Sequence, residues 1–181
     1  MQRYIALLRG INVGGNRKVE MKKLKKIFES LGFFNIITYI NSGNVIFKTN
    51  EKNVSKLTRG IEEVLENELG FPIKILLRSS INMKRLVEKV PEKWRNDTEQ
   101  RTDVLFLWDK YDYQSTISLI KNNPDVDKIK YFPGAIVWNV KRSNYSKSGM
   151  RKFIGTEVYK NMTARNINTV RKIVDLINPI Q

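Results

Sequence analysis

The first candidate for chemistry is a glycine-rich stretch, LLRGINVGGNRKVEM at residues 7–21, which begins as an apolar run. Gly14 and Gly15 allow a tight backbone turn that exposes amide N–H groups, and such groups near a helix start favour an anion. Arg9 ends the apolar run with a guanidinium that can bond two oxygens of an oxyanion. The Walker spacing and the dinucleotide glycine pattern are both absent. The stretch is either a phosphate-binding loop built from Arg9, Asn12, Gly14 and Gly15, or a plain connection between a strand and a helix.

A second candidate lies in the sequence MTARNINTVRK at residues 162–172. Its spacing predicts a helix on which Asn166 shares the apolar side with Val170. In one interpretation, Thr163 caps this helix and a buried Asn166 bonds the first turn or a neighbouring loop. In the other interpretation, the opposite side of the helix is a ligand-binding surface made of Arg165, Asn168, Thr169 and Arg171.

Positive charge is concentrated in the last third of the chain. The protein has 33 Lys and Arg against 18 Asp and Glu, a net charge of +15 that favours polyanions. Residues 141–172 hold nine basic residues and one acid, Glu157, which is a net charge of +8. A lysine-rich composition can also arise from A/T-rich coding DNA, without making a site. The clustering favours anion contact, with nucleic acid or a small phosphorylated molecule as the partner.

The chain contains no cysteine and no histidine. Nucleophilic triads built on Ser-His-Asp or Cys-His are therefore excluded, and so are the usual zinc sites. No carboxylates are clustered with a calcium-loop spacing, so we predict neither a metal nor another cofactor. No apolar stretch approaches the roughly 18 residues of a membrane helix, and the first residues lack a signal-peptide pattern. We expect a cytoplasmic protein that does not enter membranes.

The elements that must position these residues follow a β-α-β-β-α-β order in the first half. Short apolar runs predict strands, whereas apolar residues at spacings of three and four predict helices. The strands are expected at residues 3–9, 36–40, 45–48 and 72–78, and the helices at 21–31 and 54–69. The sequence NSGN at residues 41–44 is typical of a hairpin turn. We expect this turn at the opposite end of the sheet from the loop after the first strand.

The second half partly repeats this order. We expect a helix at residues 81–90, a loop at 91–102, a strand at 103–108 and a short helix at 114–121. Strands at 126–132 and 135–140 flank a Pro-Gly turn, and a helix ends the chain. The sequence thus predicts an α+β fold with two related ferredoxin-like halves, each with an antiparallel sheet. The halves are expected at residues 1–79 and 80–181.

Three ordered motifs carry a resemblance to a known family: LLRGINVGGNRKVEM, LGFFNIITYINSGNVIF and TARNINTVRKI. Over residues 4–173 the chain resembles the bacterial family labelled domain of unknown function 1697. The resemblance implies a two-part α+β fold with ferredoxin-like halves and no established activity. It places the hallmark positions of the family at Arg9, Gly10, Asn12, Gly14, Gly15, Ser42, Gly43, Asn44, Ser146, Thr163, Arg165, Asn166 and Thr169.

Two further points depend on this resemblance. Ile167 stands where the family often has a tryptophan, so a role that needs an indole is not expected at this position. Ser146 and Lys147 look like the family's Ser-Lys pair. Such a pair could form a nucleophile without histidine, or it could be two neighbouring loop residues without a shared role.

The leading prediction is a non-catalytic protein that binds phosphate-bearing ligands, with nucleic acid as the first candidate. The alternatives are an enzyme that acts on a small phosphorylated or nucleotide substrate, and a structural homodimer without a ligand. We assign no catalytic residue and predict no oligomeric state. The predicted ligand-binding residues are Arg9, Asn12, Gly14, Gly15, Ser146, Lys147, Arg165, Asn168, Thr169 and Arg171.

Overall fold

The computed structural model describes residues 1–15 and 17–177 and divides the chain into two units, Met1–Ile81 and Asn82–Gln181. Each unit contains one four-stranded antiparallel sheet with helices between its strands. Within the described residues, no helix is long and apolar enough to cross a membrane.

The first unit follows the predicted β-α-β-β-α-β order. Its elements are β1 (Gln2–Leu8), α1 (Met21–Ser30), β2 (Phe34–Tyr39), β3 (Asn44–Thr49), α2 (Val54–Leu69) and β4 (Ile75–Ser79). The strands are arranged in the order β2-β3-β1-β4, so β1 lies in the middle of the sheet, as predicted. The helix α3 (Ser80–Lys89) begins directly after β4.

Alternating residues of β1 build the core of the first unit, because successive side chains of a strand point to opposite faces. Tyr4, Ala6 and Leu8 belong to one buried cluster together with apolar side chains of α1 and α2. The two helices bury residues at the predicted spacings of three and four, namely Leu24, Ile27, Phe28, Leu57, Ile61 and Leu65. Gly70 ends α2 in the left-handed conformation, with φ of 79°, which glycine adopts at little cost.

The second unit has the same strand arrangement. Its strands are β5 (Gln100–Leu107), β6 (Asp127–Phe132), β7 (Ala135–Lys141) and β8 (Met162–Asn166), in the order β6-β7-β5-β8. Its later helices are α4 (Met150–Phe153), α5 (Glu157–Lys160) and α6 (Ile167–Ile177). The order corresponds strand for strand to that of the first unit. The predicted α+β fold with two ferredoxin-like halves and antiparallel sheets is confirmed.

Strand β8 corrects the prediction of a helix that Thr163 caps and that includes Asn166. This strand pairs antiparallel with β5, from Leu107 opposite Met162 to Asp103 opposite Asn166. The helix α6 begins only at Ile167. Local periodicity could not reveal the strand, because its hydrogen bonds are made to a segment far away in the sequence. With β8, the second unit completes the β-α-β-β-α-β order, and α6 follows β8 as α3 follows β4.

Short helical segments differ from the prediction in the second unit. Residues 114–121 were predicted as a helix, and Gln114–Leu119 forms a 3-10 helix. Two more 3-10 helices, Asp109–Tyr111 and Arg142–Lys147, and the one-turn helices α4 and α5 were not predicted. Segments this short have too few residues for an apolar period to be recognised in sequence.

The loop after β1 and the hairpin turn before β3 lie at the same end of the sheet, which corrects the expectation that they lie at opposite ends. Because β1 and β3 are antiparallel, the end of β1 lies beside the start of β3, with Leu7 opposite Asn44. The amide of Leu8 donates to the carbonyl of Gly43 at 2.9 Å. A Cβ on Gly43 would stand 2.7 Å from Ile11 Cδ1 and 2.8 Å from Leu8 Cβ, so the two segments pack tightly.

Asp127 at the start of β6 closes the core of the second unit. Its buried carboxylate accepts hydrogen bonds from the Trp138 indole at 2.9 Å, the Ser148 hydroxyl, the Gly149 amide at 2.9 Å and the Asn123 amide at 2.8 Å. Burial alone would raise the pKa of Asp127, but these hydrogen bonds outweigh it and leave the pKa below its usual value. The carboxylate thus fastens β6 to β7 and to the segment before α4.

Candidate functional site

Asn12 holds the glycine-rich loop in place. Its side-chain oxygen accepts from the Val19 amide at 2.8 Å, and its Nδ2 donates to the Val19 carbonyl at 3.0 Å and the Asn41 carbonyl at 2.8 Å. Its own amide donates to the Arg17 carbonyl at 3.1 Å. The side chain of Asn12 therefore bonds the loop to itself and to the hairpin turn. This use of Asn12 is structural.

The other predicted loop residues are placed as follows. Gly14 and Gly15 are exposed and have positive φ angles of 60° and 79°. A Cβ atom built on either glycine would meet no other atom within 4 Å, so the backbone conformation, and not a lack of space, favours glycine at both positions. Asn16, which follows Gly15 in the sequence, lies outside the described residues. Arg9 follows β1 and is half-exposed, and its amide donates to the Lys74 carbonyl at 2.9 Å.

The predicted Ser-Lys pair lies on the surface. Ser146 and Lys147 are both exposed near the end of the 3-10 helix Arg142–Lys147. In the described part of the chain no hydrogen bond joins the Ser146 hydroxyl to the Lys147 ammonium. An activated serine needs its base within hydrogen-bond distance, so this geometry does not assemble a nucleophile.

The predicted surface of Arg165, Asn168, Thr169 and Arg171 is not a single exposed face. Arg165 lies in β8 and is buried, and Thr169 is buried in α6. Asn168 is exposed, and its Nδ2 donates to the Asn96 carbonyl at 2.7 Å. Arg171 is half-buried and donates from Nη2 to the carbonyls of residues 91 and 92 at 3.2 and 3.3 Å. Asn168 and Arg171 thus fasten α6 to the loop before β5.

Asn166, and not Thr163, caps the last helix. The Asn166 side-chain oxygen accepts from the Thr169 amide at 2.9 Å, the position that a helix cap occupies. Asn166 is half-buried, whereas the sequence predicted it to be buried. Thr163 lies in β8, and its hydroxyl accepts from Arg165 Nη1 at 3.0 Å.

A cavity in the second unit brings three arginines and one carboxylate together. A cavity of about 350 Å³ is lined by Asn96, Arg101, Asp103, Arg142, Ala164, Arg165 and Asn166. We call it the arginine pocket. Its three guanidinium groups come from β5, from the segment after β7 and from β8. Three cations face a single carboxylate, so the pocket has the charge of an anion site.

Arg165 is the most buried of the three arginines, with 7% of its surface exposed. Its Nη1 donates to the Thr163 hydroxyl at 3.0 Å and the Ala164 carbonyl at 2.7 Å. Burial lowers the pKa of Arg165 to about 10, which still leaves the guanidinium charged at neutral pH. A charge at this depth interacts more strongly with an anion than the same charge in water.

Arg101 is held in the pocket by three contacts with two residues, Asp103 and Tyr145. Its Nε contacts Asp103 Oδ2 at 2.8 Å, and its Nη1 donates to the Tyr145 hydroxyl at 3.0 Å. The guanidinium carbon lies 5.2 Å from the centre of the Tyr145 ring, a cation–π distance. Burial raises the pKa of Asp103, and attraction by Arg101 and Arg142 opposes this rise without cancelling it.

Arg142 forms the exposed rim of the arginine pocket. Its Nε donates to the Asp97 carbonyl and its Nη2 to Asn96 Oδ1 at 3.3 Å. Asn166 both lines the pocket and caps α6, so the positive end of the helix dipole lies at the same place. These groups together can hold an anion with several acceptor oxygens.

A larger cavity of about 810 Å³ lies in the same unit, and its charge is mixed. Lys93, Lys128 and Lys141 line it together with Glu99 and Asp125. Because the three lysines face two carboxylates, this cavity has a weaker preference for anions than the arginine pocket. Among the described residues, no group of three or more carboxylates could hold a metal ion.

Sequence reasoning found one member of the arginine pocket, Arg165, among its predicted site residues. Arg142 was recognised only as part of the basic cluster at residues 141–172. Arg101 and Asp103 were missed, because residues 101 and 103 carry no local motif and become neighbours of Arg165 only when β5 pairs with β8. The sequence did contain one signal for them. Arg101 and Asp103 are two residues apart at the start of a strand, and this spacing places both side chains on the same face of the sheet.

The structure resembles that of a solved protein over almost its whole length. The conserved bacterial protein SP0830 from Streptococcus pneumoniae superposes with a TM-score of 0.84 at 28% sequence identity, covering 98% of this chain and 99% of that one. No functionally curated protein matches the chain. A family model described as protein of unknown function (DUF1697) matches residues 1–138. The resemblance found in the sequence motifs is therefore confirmed, and the chain belongs to the DUF1697 family.

Proposed function

We propose that the protein binds a phosphate-bearing ligand and that the arginine pocket holds the phosphate. The observation that carries this proposal is the convergence of Arg101, Arg142 and Arg165 on one cavity that contains one carboxylate. The guanidinium fork matches the spacing of phosphate oxygens, and pairs of this kind are often bidentate. The proposed activity is binding, without a catalytic residue.

The position of Arg165 supports an anionic ligand. Its guanidinium lies on the buried side of the pocket, where a positive charge interacts more strongly with an anion than the same charge in water. Arg101 is already held by Asp103 and Tyr145. A ligand therefore meets a guanidinium whose position is set, and less side-chain entropy is lost on binding.

The basic surface extends the range of phosphate-bearing ligands to nucleic acid. In residues 141–172 the exposed basic side chains are Lys141, Arg142, Lys147, Arg151, Lys152, Lys160 and Lys172. Exposed cations attract polyanions over long distances and raise the rate of association. Phosphorylated metabolites and nucleic acids are found in the cytoplasm, which we propose as the location of the protein.

Calorimetric titration of the whole protein with inorganic phosphate, pyrophosphate and a nucleoside 5′-monophosphate tests the proposal. We expect Arg142→Gln to weaken binding by about tenfold or more, because a charge-assisted hydrogen bond contributes about 1.5–3 kcal/mol. Arg151→Gln removes the same charge from an exposed residue of α4 outside the pocket, and should leave the affinity unchanged. Arg142→Lys keeps the charge and should recover part of the loss.

Two results would overturn the proposal. The first is that none of the three phosphate compounds binds the unaltered protein more tightly than about millimolar, the weakest specific affinity of interest. The second is that Arg142→Gln and Arg151→Gln weaken binding equally, because the phosphate would then be held by general surface charge. Thermal melts of each variant establish that the fold is retained.

A further inference from the structure

We infer that the larger cavity of the second unit, of about 810 Å³, binds a small neutral amide, either a primary carboxamide or a lactam. In the proposed complex the amide oxygen accepts from the Trp94 indole N–H, and the amide N–H donates to the side-chain oxygen of Asn139. The site is distinct from the arginine pocket. Gln100 lines the larger cavity and Arg101 lines the arginine pocket, and neighbouring residues of β5 point to opposite faces of the sheet.

A chain of hydrogen bonds fixes the orientation of the Asn139 carboxamide. The Lys93 carbonyl can only accept, and it accepts from Gln100 Nε2 at 2.9 Å, so Gln100 Oε1 is turned toward Asn139. Asn139 Nδ2 donates to this oxygen at 2.7 Å and to the Thr102 hydroxyl oxygen at 2.8 Å. Since Nδ2 uses both of its hydrogens in this way, Oδ1 is the atom of the carboxamide that is left for a ligand.

A donor and an acceptor without partners meet at this cavity. Across residues 1–15 and 17–177, neither Trp94 Nε1 nor Asn139 Oδ1 makes a hydrogen bond. Both residues are deeply buried, with 5% and 6% of their surface exposed, yet neither atom is fully enclosed, and both residues line the cavity. Buried polar groups are generally paired, so the two atoms call for a ligand that supplies one acceptor and one donor. An amide carries these two groups side by side.

The charges around the cavity favour a neutral or zwitterionic molecule over an anion. Five exposed charged side chains line it, three positive and two negative, namely Lys93, Lys128, Lys141, Glu99 and Asp125. Their net charge is only one, so an anion gains little attraction at this opening. A neutral amide has no charge to desolvate, so its affinity depends on the hydrogen bonds that it makes. The volume lies within the range of small-molecule sites, about 300–1,000 Å³.

Proton–nitrogen NMR of the indole groups tests the inference on the whole protein. The chain has three tryptophans, and Trp94→Phe identifies the indole signal of Trp94 by its loss. The probes are nicotinamide, a primary carboxamide, and 1-methyluracil, a lactam. We expect at least one of them to move the Trp94 signal downfield, because the indole N–H acquires an acceptor, while the Trp108 signal stays in place. A response to only one probe shows which of the two kinds of amide the cavity takes.

Matched compounds and variants test each of the two hydrogen bonds. N,N-dimethylnicotinamide and 1,3-dimethyluracil keep the carbonyl but lack the N–H, and should bind about fivefold more weakly or worse, because Asn139 Oδ1 then stays unpaired. Trp94→Phe keeps an aromatic ring without the indole N–H, and should weaken binding of the parent amides to a similar degree. Trp108→Phe makes the same change outside the cavity and should leave the affinity unaltered. Shifts of backbone amide signals measure the affinity of each protein.

Either of two results would overturn the inference. The first is that neither probe moves the Trp94 signal at concentrations well above about 1 mM, which would mean that water alone satisfies the two atoms. The second is that the methylated compounds bind as tightly as their parents, since the amide N–H is then not recognised. If Trp94→Phe fails to fold, sequential assignment of the unaltered protein identifies the Trp94 signal, and the methylated compounds complete the test. Neither result bears on phosphate binding in the arginine pocket.

Discussion

The side-chain amide of Asn12 donates a hydrogen bond to the backbone carbonyl of Asn41 at 2.8 Å. This bond joins the loop after β1 to the turn before β3, two segments whose proximity follows from antiparallel pairing of the strands. Asn12 also has a φ of 55°, a left-handed conformation that asparagine adopts more readily than most residues. Two features therefore favour asparagine at position 12: the hydrogen bonds of its side chain and its left-handed backbone conformation.

Replacing Asn12 should separate these two effects. We expect Asn12→Ala to destabilise the protein by about 2–3 kcal/mol, since it removes three side-chain hydrogen bonds and places alanine in the left-handed region. Asn12→Gly loses the same bonds but tolerates the backbone, so its penalty should be about 1 kcal/mol smaller. Urea unfolding measures both. Equal penalties would show that the backbone conformation contributes nothing.

Asp127→Asn should be among the most destabilising single substitutions in the second unit. The carboxylate accepts four hydrogen bonds, whereas an amide has one oxygen and would turn an NH₂ toward two donors. We expect a loss of about 3 kcal/mol at pH 7, because bonds to a charged acceptor are stronger than neutral ones. Asp125→Asn, an exposed neighbour, is the control and should change little.

The Asp127→Asn penalty should also depend on pH. The pKa of Asp127 is lowered in the folded protein, so its ionised form adds stability above the unfolded pKa of about 3.9. That stability is lost as the pH falls through the lower, folded pKa. The difference between the two proteins should therefore be constant from pH 7 to 5 and shrink below about pH 4. A difference that does not change with pH would contradict this account.

Two glycines should respond in opposite directions to alanine. A Cβ on Gly149 would stand 2.1 Å from the Lys121 carbonyl oxygen, so backbone must move and we expect Gly149→Ala to destabilise by about 2–3 kcal/mol. Gly60 lies inside α2 with no atom within 4 Å of an added Cβ. Gly60→Ala should stabilise by about 0.5–1 kcal/mol through helix propensity. Thermal melting of both variants checks the pair, and destabilisation by Gly60→Ala would be the contrary result.

Asn166→Ala should destabilise α6 by about 1 kcal/mol through loss of its helix cap. Asn166→Ser keeps an oxygen that can accept from the Thr169 amide, so it should recover most of the loss. Chemical denaturation measures both changes. If serine and alanine are equally destabilising, the cap is not the reason for the asparagine.

Salt should separate pocket binding from surface binding. Each phosphate of a single strand that the protein neutralises adds about −0.7 to the slope of log affinity against log salt. A 5′-phosphorylated oligonucleotide that also contacts exposed residues such as Arg151 and Lys152 should show a steeper slope than a mononucleotide. Arg151→Gln with Lys152→Gln should reduce only the oligonucleotide slope. Oligonucleotide affinity weaker than about millimolar at low salt would exclude nucleic acid as a ligand.

The sequence by itself determined the local elements and the fold class. The helices α1 and α2 could be predicted because their apolar residues recur at helical spacing, and Gly70 marks the end of α2. The turns between paired strands could be predicted because they need residues that adopt special backbone angles. The β-α-β-β-α-β order then limited the possible topologies to few, which is why the fold class was confirmed.

Only the tertiary structure decided where the candidate site lies. Strand β8 is stabilised by hydrogen bonds to β5, so the sequence MTARN looked like the start of a helix until its partner was known. The same pairing brings Arg165 to the pocket that Arg101 and Asp103 line, and the segment after β7 adds Arg142. Likewise, Asn12 meets Asn41 because β1 and β3 are antiparallel. These residues are far apart in the sequence and become neighbours only when the strands pair. Hydrophobic periodicity and local motifs describe adjacent residues, so they could not predict these contacts.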